Sequence, residues 1–216
     1  MKSIKAIRLA RRTRLLAAGL AIAALGACGT LRPTATPNPA FYALEGVRGN
    51  APATVAPGAP TLIVNPPHAA AGFDSQRIIY VREAHKLEYF AHSEWVDPPA
   101  RMLAPLLVAA IEQTGAFRAV APTPSAAAGE LRLDTEIIRL QHEFRSSPSG
   151  VRFTLRAYLV ADKTRRVLAW REFDATVPAA SDDPYGGVVA ANQAVQTVLK
   201  DLAAFCAGAA RGWRNE

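Results

Sequence analysis

The sequence predicts an α+β fold, with a mostly antiparallel β-sheet packed by two main helices in a single domain. Several segments alternate apolar and polar residues, which is the pattern of half-buried strands. Two other segments carry apolar residues at helical spacing. Because the strands are grouped and do not alternate strictly with helices, the pattern favours an α+β arrangement over a parallel α/β sheet.

The clearest strand covers residues 151 to 160, where Val151, Phe153 and Leu155 alternate with polar neighbours. The preceding segment, residues 131 to 144, is also strand-like, but its apolar positions change parity between Ile137 and Ile138. Such a change predicts a β-bulge, since one extra residue moves the following side chains to the other face.

These two segments should form an antiparallel hairpin through residues 145 to 150. In the register we expect, the paired residues are Phe144 with Val151, His142 with Phe153, and Leu140 with Leu155. This register places the apolar side chains on one face.

Shorter segments complete the predicted sheet. Residues 167 to 177 continue the hairpin as a third strand, while residues 76 to 81 and 87 to 95 form a second hairpin. Two short strands are expected at residues 41 to 44 and 61 to 64.

The first helix is expected to start at Asp97-Pro98-Pro99, with Asp97 as the N-cap and Pro98 in the first helical position. Gly115 is its expected stop. Pro105 costs roughly 3 kcal/mol in a helix interior, so we expect a late start or a kink there. The second helix follows Asp182-Asp183-Pro184 and carries Cys206 on its apolar face.

The N-terminal segment has the pattern of an export signal. Residues 1 to 14 hold six basic residues and no acidic one, and residues 15 to 25 are apolar or small, which is too short to span a bilayer. The sequence Leu25-Gly26-Ala27-Cys28 that follows resembles the bacterial lipobox. The resemblance implies cleavage before Cys28, a diacylglyceryl thioether on its sulfur and an acyl group on its amino terminus.

We therefore expect a lipoprotein signal peptide at residues 1–27, the lipidated Cys28 with a Pro/Thr-rich tether at residues 28–40, and an α+β domain at residues 41–213. Two or three acyl chains anchor a protein far more firmly than one chain does. Gly29 stands where enterobacterial lipoproteins retained at the inner membrane carry Asp, so we expect the periplasmic face of the outer membrane. The Arg11-Arg12 pair leaves open whether export uses the Sec or the twin-arginine route.

The formal charge of +7 is mostly a property of this leader, because six of the 25 Lys and Arg residues lie in it, against 18 Asp and Glu in the whole chain. The domain itself is close to neutral and gives no support to nucleic-acid binding. With Cys28 acylated, Cys206 has no partner for an intramolecular disulfide and is expected to be a small core residue.

The residues that carry acid, base or metal chemistry are scattered. The four histidines, His68, His85, His92 and His142, fall in different predicted elements. The only local cluster is His92-Ser93-Glu94 with Asp97, at a strand end and turn where polar residues are common. His142 lies on the apolar parity of its strand, as expected of a hydrogen-bonded histidine at a sheet margin. No serine has the setting of a nucleophile elbow.

A row of arginines along two strands also has an explanation that involves no catalytic or binding site. Arg132, Arg139, Arg152 and Arg156 share their strands with Asp134, Glu136 and Glu143, which is typical of a solvated sheet face. The residues thus argue against an enzyme, and we expect no catalytic residue, no cofactor and no metal.

Taken in order, these features resemble the ABC-type transport auxiliary lipoproteins, the PqiC-like companions of MCE-domain lipid transporters. The matching segments run through most of the chain after the tether: Phe41-Tyr-Ala-Leu44, Arg77-Ile-Ile-Tyr80, Leu87-Glu-Tyr-Phe-Ala-His-Ser-Glu-Trp95, Pro98-Pro99, Gly115-Ala-Phe-Arg-Ala-Val120, Leu131-Arg-Leu-Asp-Thr-Glu-Ile137, Arg166-Val-Leu-Ala-Trp170 and Val189-Ala-Ala-Asn-Gln-Ala194. Pro105 and the Ala/Pro-rich loop at residues 49 to 60 depart from the pattern.

The resemblance implies a non-catalytic outer-membrane subunit of an ABC system that moves phospholipids or other hydrophobic compounds between membranes. Its partners would be an MCE-domain periplasmic protein with its permease and ATPase, and the outer membrane through the lipid anchor. Whether phospholipid binds this domain, and whether the chain forms a homo-oligomer, stays open. Two alternatives remain: an assembly or regulatory lipoprotein that activates a cell-wall synthase or a barrel partner, and a periplasmic hydrolase that uses His92, Glu94 or Asp97.

Overall fold

A long antiparallel hairpin organises the fold, in a computed structural model that describes residues 38–46, 55 and 57–213. In these residues the strands are β1 (Ala40–Tyr42), β2 (Thr61–Val64), β3 (His68–Ala69), β4 (Arg77–Val81), β5 (Glu88–Trp95), β6 (Ala119–Pro122), β7 (Leu131–Glu143), β8 (Gly150–Ala161) and β9 (Val167–Pro178), and the helices are α1 (Pro99–Glu112) and α2 (Pro184–Gly212). The predicted signal peptide, Cys28, most of the tether and most of the loop at residues 49 to 60 lie outside the described residues.

Strands β7, β8 and β9 form the antiparallel meander that alternation predicts, but its register differs from the expected one by two residues. His142 pairs with Val151 and Leu140 pairs with Phe153. Phe144 lies beyond the last pair, and its ring packs 4.1 Å from the His142 ring. Pairing with β8 ends at Glu143, while the Phe144 N–H donates to the Val81 carbonyl of β4 at 2.9 Å. A shift of two residues preserves parity, so the apolar face is still the one that the sequence predicts.

The predicted β-bulge in β7 is confirmed. The pairing of β7 with β8 changes register between Ile137 and Arg139, which leaves Ile138 as the extra residue. Ile137 and Leu140 both remain buried as a result.

The other edge of β7 carries three short strands in succession. Strands β2, β3 and β4 each pair with it in parallel, at Leu131 to Leu133, at Glu136 to Ile137 and at His142 to Glu143. Strand β6 then pairs with β2 in parallel, β5 with β4 in antiparallel, and β1 with β5 in parallel. The α+β class is confirmed, and the open sheet is mixed: its longest pairings are antiparallel and its short ones are mainly parallel.

Helix α1 begins later than its sequence predicts. Pro98 is the N-cap and Pro99 the first helical residue, and no side chain caps the helix. Asp97 therefore is not the N-cap; its carboxylate forms an ion pair with Arg101 at 3.3 Å. Pro105 lies inside the helix, which continues through it to Glu112. Gly115 follows with a φ of 62°, as expected of a residue just beyond a helix.

Helix α2 begins where Asp182-Asp183-Pro184 predicts it. The Asp183 carboxylate accepts a hydrogen bond from the Gly186 N–H at 2.7 Å, and Pro184 takes the first helical position. The helix packs along β8 and β9 and contacts α1. Its fully buried residues include Val195, Leu202 and Cys206, which meet Phe153 and Leu155 of the sheet in one apolar core.

No helix in the described part of the chain is both long enough and apolar enough to cross a bilayer.

Candidate functional site: a groove between the two helices

A groove of about 690 Å³ is lined by residues of α1 and α2, together with Gly46. Its lining residues are Gly46, Leu106, Ala109, Ala110, Gln113, Thr114, Gln193, Gln196, Thr197, Leu199, Lys200, Ala203 and Ala204. Four of them are alanines, two from each helix, and their small side chains leave the space between the helices unfilled. Leu103, Leu107 and Ile111 of α1 are fully buried in the core.

The groove is lined by apolar side chains together with amide and hydroxyl groups. Its hydroxyl groups are engaged by helix carbonyls: Thr114 Oγ1 donates to the Ile111 carbonyl at 2.7 Å, and Thr197 Oγ1 donates to the Gln193 carbonyl at 3.0 Å. Lys200 is the one ionisable side chain among the lining residues described. An apolar floor with an amide and hydroxyl rim suits an apolar ligand or side chain better than a charged one.

One end of the groove is fixed by the chain that follows β1. The Glu45 N–H donates to the Asn192 side-chain oxygen at 2.7 Å, and the Asn192 amide nitrogen donates to the Ala43 carbonyl at 3.2 Å. Asn192 also donates to the Val188 carbonyl of its own helix at 3.0 Å. Two of the segments that carry the family resemblance, Phe41 to Leu44 and Val189 to Ala194, are thus joined by one asparagine. Helical periodicity gave no sign of this contact.

A buried polar chain connects the sheet to the start of α2. The His142 Nε2 lies 2.8 Å from the Ser149 hydroxyl oxygen, and that hydroxyl donates to the Asp182 carboxylate. His142 and Ser149 are both almost inaccessible to solvent. The expected hydrogen-bonded histidine at this position is therefore present.

This chain is not arranged as a catalytic triad. In a triad the carboxylate orients the imidazole and the serine oxygen is free to attack, whereas here the carboxylate binds the hydroxyl and the hydroxyl is buried. Because Ser149 donates to Asp182, it accepts from His142, so the Nε2 carries the proton. The His142 Nδ1 then has no hydrogen-bond partner among the described residues.

Burial lowers the pKa of the His142 imidazole below its usual value, and the carboxylates of Asp182 and Asp183 oppose that change only partly. The ring is consequently held neutral by the fold. Its role is structural: it ties the loop between β7 and β8 to the beginning of α2.

The local cluster around His92 does not converge. His92 is exposed while the Ser93 side chain is buried, as alternation along β5 requires. Asp97 is engaged with Arg101. No group of three potential metal ligands lies together in residues 38–46, 55 and 57–213, and the four histidines occupy separate elements or turns.

Three of the four arginines in the row, Arg132, Arg152 and Arg156, form ion pairs with carboxylates. The Arg152 Nε lies 2.9 Å from Asp174, the Arg156 Nη2 lies 2.9 Å from Glu172, and the Arg132 Nη1 lies 3.0 Å from Asp162. These pairs agree with the solvated face that the sequence predicts.

Cys206 is a buried free thiol, as the helix pattern predicts. Burial raises its pKa to about 12. The group is therefore protonated at neutral pH and has no thiolate character. Cys28, the residue with a predicted chemical role, lies outside the described residues.

Comparison with known proteins agrees with this architecture. The profile of the family described as the ABC-type transport auxiliary lipoprotein component matches residues 42–203. No curated protein sequence matches the chain.

The fold is also similar to solved structures. The protein XCC0632 from Xanthomonas campestris, assigned to the family DUF330, is 25% identical with a TM-score of 0.68, and the match covers 80% of this chain and 97% of that one. A second crystal structure, of an uncharacterized protein, is 12% identical with a TM-score of 0.62 and shares the fold over 79% of this chain and 99% of that one.

Because the family profile spans three quarters of the sequence, from β1 to the middle of α2, this chain belongs to the ABC-type transport auxiliary lipoprotein family.

Proposed function

We propose that this protein is a non-catalytic outer-membrane lipoprotein subunit of an MCE-associated ABC system that transports lipids or other hydrophobic compounds between membranes. In this role the domain docks the periplasmic MCE conduit at the outer membrane, while ATP hydrolysis takes place in other subunits. The observation that carries the proposal is the family match over residues 42–203.

The predicted anchor supports this role physically. Each buried methylene contributes about 0.8 kcal/mol, and two or three chains on Cys28 hold a protein at the membrane far more firmly than one. A tethered domain meets its partner at a high effective concentration, so a weak docking surface is sufficient. The tether at residues 28–40, at about 3.1 Å per residue if extended, gives the domain a reach of several nanometres.

The chemistry of the domain supports a binding role. The buried histidine is neutral and hydrogen-bonded, the buried thiol is protonated, and the outer arginines are matched by carboxylates. The groove between α1 and α2 offers apolar surface and no acid or base pair.

A crosslinked pull-down tests the proposal. The tagged, lipidated protein is crosslinked in cells, purified from detergent-solubilised envelopes and identified with its partners by mass spectrometry. We expect an MCE-domain protein with its permease and ATPase. A matched sample without crosslinker controls for capture during solubilisation.

Recovery of a cell-wall synthase or a β-barrel protein in place of an MCE-domain protein contradicts the proposal. That result assigns the chain to the assembly or regulatory class, and the family likeness then reports a shared fold.

A further inference from the structure

The turn between β8 and β9 is strongly basic and has a fixed backbone. It reads Asp162-Lys163-Thr164-Arg165-Arg166, with three cations and one carboxylate. The Arg165 N–H donates to the Ala161 carbonyl at 2.8 Å, and the Ala161 N–H donates to the Arg166 carbonyl at 2.9 Å. The exposed side chains are therefore presented by a turn that the backbone closes.

The single carboxylate of this turn, Asp162, already forms an ion pair with Arg132 of β7. Asp162 accepts from the Arg132 Nη1 at 3.0 Å. Lys163 and Arg165 are exposed, and among the residues that the structure describes neither forms an ion pair with a carboxylate. The turn consequently presents a net positive charge to solvent.

Exposed aromatic and apolar side chains adjoin this turn. Trp170 of β9 is 62% exposed and Val167 is 52% exposed. The Trp170 ring stacks on Tyr158 of β8, with ring centroids 6.3 Å apart and an interplanar angle of 26°. The stack holds the indole in place while leaving most of it accessible. Tyr158 and Trp170 are a directly opposed pair, so both lie on the outer face of the sheet.

The rest of the outer face of β8 and β9 carries arginines that are paired with carboxylates. Beyond the stacked pair, toward the other end of the same strands, Arg156 is paired with Glu172 and Arg152 with Asp174. Lys163 and Arg165, which have no carboxylate partner among the described residues, occur together with exposed apolar side chains at the turn end, whereas Arg156 and Arg152 farther along are paired with carboxylates.

We propose that the turn end of the β8–β9 hairpin binds an anionic phospholipid surface. Indole and phenol rings favour the headgroup level of a bilayer because one part is apolar and the other forms hydrogen bonds. Lysine and arginine above that level are attracted to anionic headgroups by about 1 kcal/mol each. Trp170 and Val167 contact the headgroup and acyl boundary, while Lys163 and Arg165 contact the phosphates.

The surface favours a membrane over an acidic protein because exposed apolar side chains, Val167 and Trp170, occur near exposed cations, Lys163 and Arg165. A bilayer offers an apolar interior directly below an anionic layer of headgroups. This contact is additional to the acyl anchor and does not depend on which transport partner the domain docks. It fixes the orientation of a domain that the anchor alone leaves free to rotate.

Trp170 itself is the probe for the test. The full-length lipidated protein is reconstituted into vesicles of phosphatidylethanolamine and phosphatidylglycerol that contain brominated lipids, which quench tryptophan on contact. Vesicles of phosphatidylcholine with the same brominated fraction are the charge control. The chain holds three tryptophans, and Trp170→Phe identifies the emission that belongs to the stack.

We expect quenching in the anionic vesicles that Trp170→Phe removes. The double variant Lys163→Gln with Arg165→Gln should lower the ratio of docked to undocked domain by roughly 25-fold, since each cation contributes about a factor of five. The matched double variant Lys86→Gln with Arg101→Gln removes the same charge where carboxylates pair it, and should keep the quenching.

Three results overturn the proposal: no quenching of Trp170, equal quenching in phosphatidylcholine, or quenching that survives the neutralisation of Lys163 and Arg165. If quenching is absent and a photocrosslinker at Val167 captures an acidic envelope protein in cells, the surface is a protein interface. The pull-down of transport subunits is a separate readout, so failure of one proposal is distinguishable from failure of the other.

Discussion

At the scale of single residues, His142 shows how closely the sheet and α2 are fitted. Its Nε2 is held by Ser149, and its other ring nitrogen faces the first turn of α2 at Gly187. A Cβ added to Gly187 would meet the His142 Nδ1 at 2.5 Å, which is closer than real Cβ contacts. Because the ring is held by Ser149, it has little freedom to move away.

Replacement of Gly187 by Ala should therefore destabilise the protein by about 1–3 kcal/mol through overpacking. Gly208, farther along the same helix, is the matched control, because a Cβ there meets only a flexible Arg211 nitrogen at 4.0 Å. Gly208→Ala should stabilise by about 0.5–1 kcal/mol, the usual gain in a helix interior. Urea unfolding of both variants measures this difference, and equal stability of Gly187→Ala and the parent protein contradicts the account.

The buried imidazole also predicts a dependence of stability on pH. The pKa of His142 is lowered in the folded protein by burial, so the unfolded chain takes up a proton first as pH falls below about 6.5. Stability is therefore full above that value and decreases on acidification until the folded pKa is reached. Between the two pKa values, His142 adds to the slope of the unfolding free energy against pH an amount that approaches the uptake of one proton on unfolding.

Unfolding curves between pH 7.5 and 5 measure this slope. We expect His142→Gln to lose it, while His92→Gln, which changes an exposed histidine, keeps it. Parallel curves for the parent protein and His142→Gln would show that burial of this ring does not control acid stability.

At the scale of elements, α1 carries an uncommon strain. Pro105 is exposed inside the helix, where it cannot donate to the carbonyl of Arg101 one turn earlier. The helix persists because Leu103, Leu107 and Ile111 are fully buried against the sheet. Tertiary packing thus outweighs the local penalty of Pro105, and the helix begins before this proline, at Pro99, and not late as that penalty predicts.

Pro105→Ala should raise the free energy of unfolding by about 1–2 kcal/mol. The restored helix interior is worth about 3 kcal/mol, less about 1 kcal/mol because proline also restricts the unfolded chain. Pro184→Ala is the control, since proline is favourable in the first helical position of α2. Thermal or urea unfolding distinguishes the two, and a Pro105→Ala variant less stable than the parent refutes this explanation.

The sequence was most informative where one local pattern decides the structure. Period-two alternation predicted β7, β8 and their common apolar face, and the parity change predicted the bulge at Ile138. The observed register differs from the expected one by two residues, because alternation has a period of two and does not distinguish registers that differ by two. The sequence predicts Asp97 as the N-cap of α1, but the N-cap is Pro98. The Asp97 carboxylate is instead engaged in an ion pair with Arg101.

Long-range features were not predictable in the same way. Strands β3 and β6 are not predicted from the sequence, and they form by pairing with β7 and β2. The groove depends on how α1 and α2 pack, and its Asn192 contact joins residues almost 150 positions apart. Likewise, the stacking of Trp170 on Tyr158 depends on the register between β8 and β9, which the segment around Trp170 does not encode by itself.

At the scale of the whole molecule, the chain is a member of the ABC-type transport auxiliary lipoprotein family, and the function we propose for it is binding from a lipid anchor. The family match covers residues 42–203, and among the described residues several acidic and basic side chains at the surface form ion pairs, such as Arg152 with Asp174 and Arg156 with Glu172. Function then depends on where the domain is held and what it contacts. The proposed anchor, Cys28, and the alternative catalytic cluster, His92, Glu94 and Asp97, make opposite predictions for the intact protein.

The most direct test compares the envelope barrier in cells that lack the protein and are complemented with defined variants, scored by sensitivity to a detergent that the intact envelope excludes. We expect the triple variant His92→Ala, Glu94→Ala, Asp97→Ala to restore the barrier fully, and Cys28→Ala to fail although the domain accumulates to the same level. Failure of the triple variant in a folded protein, together with full rescue by Cys28→Ala, would contradict the account and favour a hydrolase that needs no anchor.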